Sequence, residues 1–465
     1  MTTMSKTDET SNLIRLSFAR RVSFGMGDLA INLTWASLGM FIVFFYTDVA
    51  EIAAGTVGAL IAISRIFDGF VDVGVGSLVD RTRSRWGKAR PWLLFGAVPF
   101  AICSTLVFAV PDVGMTQRVI YAFITYSLLM IAFSAIAIPY GTLNTLITRD
   151  THEREKLNIF RMFLAQIGVL IVTSATLPLV NLFGGSKGAW VATYALLSSL
   201  SVVLLWVVFA TQRELSLSSQ PAQEKIPVKV GLRSAFSNRY WVISFVYFAI
   251  FSIGYALNQG ALVYYAKWIL NDENLVSGLT WAYILPIMAG FLFLAPLLEK
   301  YGKRNVMIAS SVFSLLGLAI VFIDPSSLWV LVASQVVKGI GQVGILGVVW
   351  AMFPDTIEYG EWKTGVRAEG ILYAGGSFAQ KLGIGLGTAL MGWILAAGGY
   401  DGSLTAQPSS AHTAIIVAFV VVPAVVFALQ IVLLWKYDLD KQLPQIISDL
   451  EERARVQAER VAVDD

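Results

Sequence analysis

Twelve apolar windows of about 20 residues, each long enough to cross ~30 Å of hydrocarbon as a helix, run along this 465-residue chain. They fall near residues 22–47, 53–78, 92–110, 117–140, 159–183 and 188–210, and again near 240–266, 276–298, 305–323, 328–353, 370–397 and 411–436. Only 14% of the residues are charged, 56% are hydrophobic, and the mean hydropathy is +0.68. These values define a polytopic helical membrane protein whose main partner is the lipid bilayer.

Organisation follows from what separates the windows. The start, Met1 to Asn12, is polar and acidic and lacks the features of a signal peptide, so the first span is expected to be retained. The single cysteine, Cys103, lies inside the third window and has no partner for an intramolecular disulfide. Connections from odd to even spans hold only Arg118, Lys187 and Lys267 near the membrane, whereas the termini and alternate loops carry Arg20, Arg21, Arg81, Arg83, Arg85, Lys88, Arg90, Lys300, Lys303, Arg304 and others. By the positive-inside bias both termini are expected in the cytoplasm, with the chain in the cell (inner) membrane. One long polar connection, residues 212–239, divides the windows into two sets of six. The expected layout is a tail (1–20), a first six-helix bundle (21–211), a flexible linker (212–239), a second bundle (240–437) and a cytoplasmic tail (438–465). Weak self-similarity supports the division: Pro139-Tyr-Gly-Thr-Leu leads into Thr148-Arg-Asp, and Pro354-Asp-Thr-Ile-Glu leads into Thr364-Gly-Val-Arg367. Parallel repeats of this kind characterise the major-facilitator fold, in which substrate sits at midplane between the halves.

The second window carries Arg65, Asp68 and Asp72, at i, i+3 and i+7 on one helix face. Carboxylates at bilayer depth are costly and persist where they bind something or carry charge. Two of them four residues apart repel, and the repulsion is relieved by a counter-ion, a bound Na⁺ or protonation of one. Each outcome describes a cation site, with a static ion-pair network between helices as the structural alternative. Further polar groups at depth are Asp28 and Asn32 in the first span, Arg161 in the fifth, Lys338 in the tenth and Lys381 in the eleventh. Asp28, Asp68 and Asp72 are set against Arg65, Arg161, Lys338 and Lys381, and this cationic excess of one favours an anionic substrate. Nucleic acid is not an expected partner. Enzymatic activity is not expected either, since only His152 and His412 are present and neither a nucleophile triad nor metal-ligand spacing occurs.

The stretch Arg65-Ile-Phe-Asp-Gly-Phe-Val-Asp72, followed by Gly76 and Asp80-Arg-Thr-Arg-Ser-Arg-Trp-Gly-Lys-Ala-Arg-Pro-Trp92, resembles the signature of the glycoside–pentoside–hexuronide:cation symporters, the melibiose carrier's family. Asp355-Thr-Ile-Glu-Tyr-Gly-Glu-Trp-Lys-Thr-Gly-Val-Arg-Ala-Glu-Gly370 resembles the family's second signature, and the likeness runs from about residue 20 to 440. The resemblance implies that Asp68 and Asp72 bind the cation (H⁺ or Na⁺, the latter held as a metal ion), that Lys381 takes part in coupling, and that Arg161 contacts sugar. Where the melibiose carrier has a sugar aspartate, a fourth-helix aspartate and a stacking tryptophan, this chain has Asn32, Ala137 and Gly141. These departures point away from galactoside recognition of that kind, and Ala137 brings H⁺ into play beside Na⁺. Similarity to the glucuronide carriers of the family is closer, in Gly27-Asp-Leu-Ala-Ile-Asn32, Tyr46-Thr-Asp-Val-Ala50, Ile269-Leu-Asn-Asp272 and Glu358-Tyr-Gly-Glu.

The expected function is therefore secondary active transport, cation-coupled symport of a glucuronide or related glycoside by alternating access. Arg161, Asn32, Asp28 and Lys338 are the expected substrate residues, and Arg65 and Lys381 the coupling residues. A cytoplasmic gate is expected from Asp80, Arg81, Arg85, Asp355, Glu358 and Arg367. A pentoside or galactoside symporter, a lipid-like substrate and a sugar sensor that binds without transport are the alternatives.

Overall fold

The computed structural model describes residues 16–148, 151–214, 228–365 and 369–464. In chain order the helices are α1 (Phe18–Phe44), α2 (Ala54–Arg81), α3 (Arg90–Leu106), α4 (Met115–Ile147), α5 (Thr151–Leu182), α6 (Lys187–Thr211), α7 (Val228–Ser237), α8 (Arg239–Trp268), α9 (Leu275–Tyr301), α10 (Lys303–Ile320), α11 (Leu328–Val348), α12 (Met352–Thr364), α13 (Glu369–Ala397), α14 (Ser409–Ile416), α15 (Val422–Trp435) and α16 (Leu439–Asp464). Among the described residues eleven segments are long and apolar enough to cross a membrane, and the shorter apolar α3 completes the twelve expected spans. Side-chain caps mark several starts: Ser17, Ser186 and Asn238 accept the backbone N–H groups of Arg20, Ala189 and Trp241 at 3.3, 3.3 and 3.0 Å. A π-helical turn, Phe45–Val49, extends α1, and a second, Val417–Val421, joins α14 to α15 into one span.

The helices form two bundles with matching internal contacts. In the first, α1 packs on α5 and α6, α4 on α2 and α3, and α3 on α6; in the second, α8 packs on α13 and α15, α11 on α9 and α10, and α10 on α15. The bundles meet through α2 against α13, α1 against α8 and α5 against α9, the reciprocal pattern that a pseudo-twofold relation between the bundles requires. Close approach within a bundle depends on small residues, because helices in lipid gain little from merely hiding apolar surface. A Cβ at Gly341 of α11 would stand 2.5 Å from the Ser314 backbone nitrogen and 2.7 Å from the Ser310 carbonyl of α10. Backbone cannot yield as a flexible side chain can, so Gly341→Val is expected to cost at least the ~1–3 kcal/mol typical of overpacking. Thermal unfolding of the purified variant checks this as a fall of several degrees.

Three segments differ from the sequence expectation. The tenth span does not end near residue 353; after a tight turn at Val349–Ala351 it continues as α12 to Thr364, carrying Asp355, Glu358 and Glu361 beyond the apolar window. Part of the expected linker is helical, as α7, while residues 215–227 lie outside the described set. The expected C-terminal tail is the helix α16, docked on α12. Leu439 and Ile446 are buried there, Trp362 Nε1 donates to Asp449 Oδ2 at 2.9 Å, and Arg453 Nη1 donates to the Trp362 carbonyl at 2.9 Å. Hydrogen bonds from Gln445 and Trp362 hold the Asp449 carboxyl below the usual carboxylate range.

Candidate functional site

The i, i+3, i+7 spacing of Arg65, Asp68 and Asp72 turns all three from α2 toward α4 and α13. Asp68 is fully buried. Its Oδ2 lies 3.9 Å from Arg65 Nη1 and 3.6 Å from Lys381 Nζ, which also forms a short ion pair with Asp72 Oδ2. Ser134 of α4 donates to Asp72 Oδ1 at 2.6 Å and approaches Asp68 Oδ1 at 3.4 Å. The Arg65 guanidinium stacks 4.7 Å from the centre of the Trp35 ring, which itself lies on Phe133 at 4.3 Å. Among the described residues Asp68 Oδ2 accepts no hydrogen bond, and Arg65 Nε and Nη1 donate none. A buried carboxylate oxygen without a donor is costly, and a small cation would relieve that cost. Because Lys381 belongs to the second bundle and Asp68 and Asp72 to the first, this ion pairing bridges the two.

Beside it lies a cavity of about 210 Å³, lined among others by Asp28, Asn32 and Trp35 of α1, Tyr140 of α4, Arg161 of α5, and Gln380 and Lys381 of α13. Arg161 Nε donates to Asp28 Oδ2 at 2.5 Å, and its guanidinium carbon stands 4.8 Å from the centre of the Tyr140 ring. Tyr140 in turn donates to the Phe24 carbonyl at 2.7 Å, which fixes the ring. Asn32 Nδ2 is turned back onto the Asp28 carbonyl, 2.8 Å away. Asp28, Asn32, Arg161 and Lys381 thus share one chamber.

Lys338 does not join them. It is buried within the second bundle, donating to Asn258 Oδ1 at 3.2 Å, and lines a different pocket, whose residues come from the second bundle alone. The expected gate residues are also spread out. Arg81 and Arg85 are exposed, Arg85 stacking on Trp86 at 4.2 Å; Asp355 pairs with Lys303 at 2.6 Å within the second bundle; Glu358 lies on α12. Arg367 and the side chain of Asp80 lie outside the described residues. At the foot of α3 the backbone N–H groups of Lys88, Ala89 and Arg90 all donate to the Glu214 carboxylate at 2.7 to 2.9 Å, where the positive end of the helix dipole favours an acid.

On the face opposite the termini the bundles are locked together by a cluster that sequence reasoning did not assign. Asp48, on the π-helical turn, accepts from Lys267 Nζ at 2.6 Å and from the Tyr400 hydroxyl at 2.7 Å, while Thr47 and Tyr264 share a hydrogen bond of 2.7 Å. Nearby, Trp281 Nε1 donates to Ser174 at 2.7 Å and Ser277 to the Thr173 carbonyl at 2.8 Å. Charged residues at span ends look like ordinary interface groups in sequence, and only Lys267's rarity on that side set it apart. Ser134 carries no signal among apolar neighbours.

Two pseudo-symmetric helical bundles, a chamber between them and charge pairing across it define a membrane transporter of the major-facilitator class. The matching family model, described as MFS/sugar transport protein, covers residues 23–441, and the chain belongs to that family. It is 34% identical to the isoprimeverose transporter of Lactiplantibacillus pentosus, covering 94% of this chain and 92% of that one. It is also 34% identical to an inner membrane symporter of Escherichia coli K12, over 91% and 92% of the two chains. A glucuronide carrier protein homolog of the same organism matches at 30%, over 96% and 98%. Among solved structures, a nucleoside transporter, NupG, aligns with a TM-score of 0.62 at 14% identity, covering 92% of this chain and 99% of that one, which supports the fold. The protein is a transporter and not an enzyme.

Proposed function

We propose that this chain is a glycoside symporter driven by H⁺ or Na⁺, in which the cation binds at Asp68 and Asp72 and the sugar in the chamber beside Arg161 and Lys381. The observation that carries the reading is Lys381, reaching from the second bundle to both carboxylates of the first. A cation arriving there replaces the lysine as counter-ion, and the freed ammonium faces the chamber. Cation and sugar are then coupled through one side chain, and the coupling is reciprocal.

Charge count bears on the sugar. Arg65 and Lys381 balance Asp68 and Asp72, and Arg161 balances Asp28, so one bound cation leaves the site with one positive charge in excess. A glycoside bearing a carboxylate, such as a glucuronide, restores neutrality, with Lys381 or the remaining Arg161 donors meeting it. A glycoside without a carboxylate is the second reading, suggested by similarity to a relative named for isoprimeverose and not for a glucuronide. Both termini and the basic loops face the cytoplasm in this reading, and the chain resides in the inner membrane.

The test is uptake by proteoliposomes under imposed Na⁺ or pH gradients, with a panel of glucuronides and neutral glycosides. Cation-driven accumulation of a member supports symport; saturable binding without flux would make the protein a sensor and overturn it. Arg161→Ala is expected to weaken binding of the accumulated sugar by about 10- to 200-fold, from the ~1.5–3 kcal/mol of a hydrogen bond to a charged group. Cation binding should survive in that variant.

A further inference from the structure

The sequence holds one more base than acid at membrane depth, and the surplus resolves to one residue. Arg65, Arg161 and Lys381 each face a carboxylate. Lys338 is 1% exposed and has no ion-pair partner among the described residues. Its surroundings are neutral: Asn258 and Tyr255 on α8, Tyr283 on α9, Gln342 one turn along α11, Phe419 on the π-helical turn and Gln430 on α15. The Phe419 and Tyr283 rings lie 4.7 and 5.4 Å from Nζ. These rings and one amide oxygen do not neutralise a buried ammonium, and a buried charge without a counter-charge is among the costliest arrangements in a folded protein.

Two donors in the same pocket are also unused. Asn258 gives its oxygen to Lys338, leaving Nδ2 buried without an acceptor; Gln430 gives its oxygen to Tyr247 and Ser311, leaving Nε2 buried likewise. An ammonium answered by one amide oxygen alone and two amide N–H groups without acceptors line one pocket and form a donor set for an anion; Gln342 Oε1, also buried there without a donor, is the acceptor this set outnumbers. The free space is about 10 Å³, room for a single water-sized species and far too little for a sugar carboxylate with its ring.

We propose that this pocket in the second bundle is a site for a small monovalent anion of halide type, held by Lys338, Asn258 and Gln430 and separate from the sugar chamber. The anion neutralises the charge of Lys338, which has no ion-pair partner among the described residues. It thereby fixes α8, α11 and α15 around one point, independently of whether the chamber carries glycoside and cation.

Thermal unfolding of the purified full chain in choline salts, without sugar or Na⁺, reads this directly. Chloride or bromide replaces gluconate stepwise from 0 to 50 mM at constant ionic strength. The wild-type midpoint is expected to rise by about 2 °C or more and then saturate, as binding to the native state alone requires. Lys338→Met, similar in length and uncharged, is expected to abolish the halide dependence. Gln430→Leu should shift half-saturation upward about tenfold, and it serves with the wild-type titration if Lys338→Met does not fold. A flat wild-type titration overturns the proposal, since the pocket would then hold water beside a neutral amine; so does a saturating rise that Lys338→Met leaves intact.

Discussion

Asp72→Asn is expected to uncouple the carrier: accumulation against a gradient disappears, while downhill sugar exchange continues. Asparagine has the shape of a protonated aspartic acid and no charge, so it mimics permanently the moment at which the cation has taken the carboxylate from Lys381. The variant retains Ser134 as a hydrogen-bond neighbour, and Asp68 remains 3.6 Å from Lys381, so the bundle interface keeps one of its two charge contacts. Sugar affinity in the variant should no longer vary with Na⁺ or pH, whereas in the wild type the cation should change it by roughly the 5- to 150-fold typical of coupled sites. Calorimetric sugar titrations with and without the cation, on both proteins, measure the difference. Retention of the wild-type cation dependence would remove Asp72 from the coupling site. Asp68→Asn is the companion variant and should lose cation dependence as well, but it also strips Arg65 of its only acidic neighbour among the described residues, so its stability is expected to fall further.

How much of this could be seen in the chain alone follows from the range of each signal. The twelve spans are one-dimensional features, since the length of an apolar run and the thickness of a bilayer suffice to find them, and all twelve have counterparts in the structure. The shared face of Arg65, Asp68 and Asp72 is equally local, a consequence of 3.6 residues per turn. Lys381 is 309 residues from Asp72, and no periodicity links them; resemblance to a family implied a coupling role for Lys381, and the packing of α2 against α13 is what brings the two side chains together. Asp28 and Arg161 could be named as buried polar groups but not as partners of each other, because their meeting depends on how α1 packs against α5. Lys338 was indistinguishable in sequence from the bases that reach the chamber, and the packing of α8, α9 and α15 around it decides that it does not. The polar, charge-rich composition of residues 438–465 suggests a solvated tail, yet Leu439 and Ile446 at helical spacing were enough to dock it. Ser134 and the Asp48 cluster were missed for opposite reasons, one having too little chemical signal and the other lying where charged residues are ordinary.

The second large effect is expected at that cluster. Asp48 is almost wholly buried, its side chain 2% exposed, and it joins the first bundle to Lys267 and Tyr400 of the second. These bonds exist only while the face opposite the termini is shut, since opening it must draw α1 away from α8 and α13. Removing one partner of a buried ion pair costs ~3–5 kcal/mol, because the remaining charge is left in a poor solvent. In the state open at this face, Asp48 regains water and the cost vanishes, so the whole penalty acts on the equilibrium between the two states. Lys267 keeps 28% of its side chain exposed, which places the effect at the lower end of that range, about a hundredfold toward the open state. Spin labels at Val113 and Leu404, both exposed on this face and belonging to different bundles, would report it in a background with Cys103 replaced. Lys267→Ala and Asp48→Asn should each lengthen the distance between the labels and populate a second, wider distribution. An unchanged distribution in both variants would mean that Asp48 merely pins the π-helical turn of α1, and that the bundles are held on this face by the α5 and α9 contacts at Ser174 and Trp281.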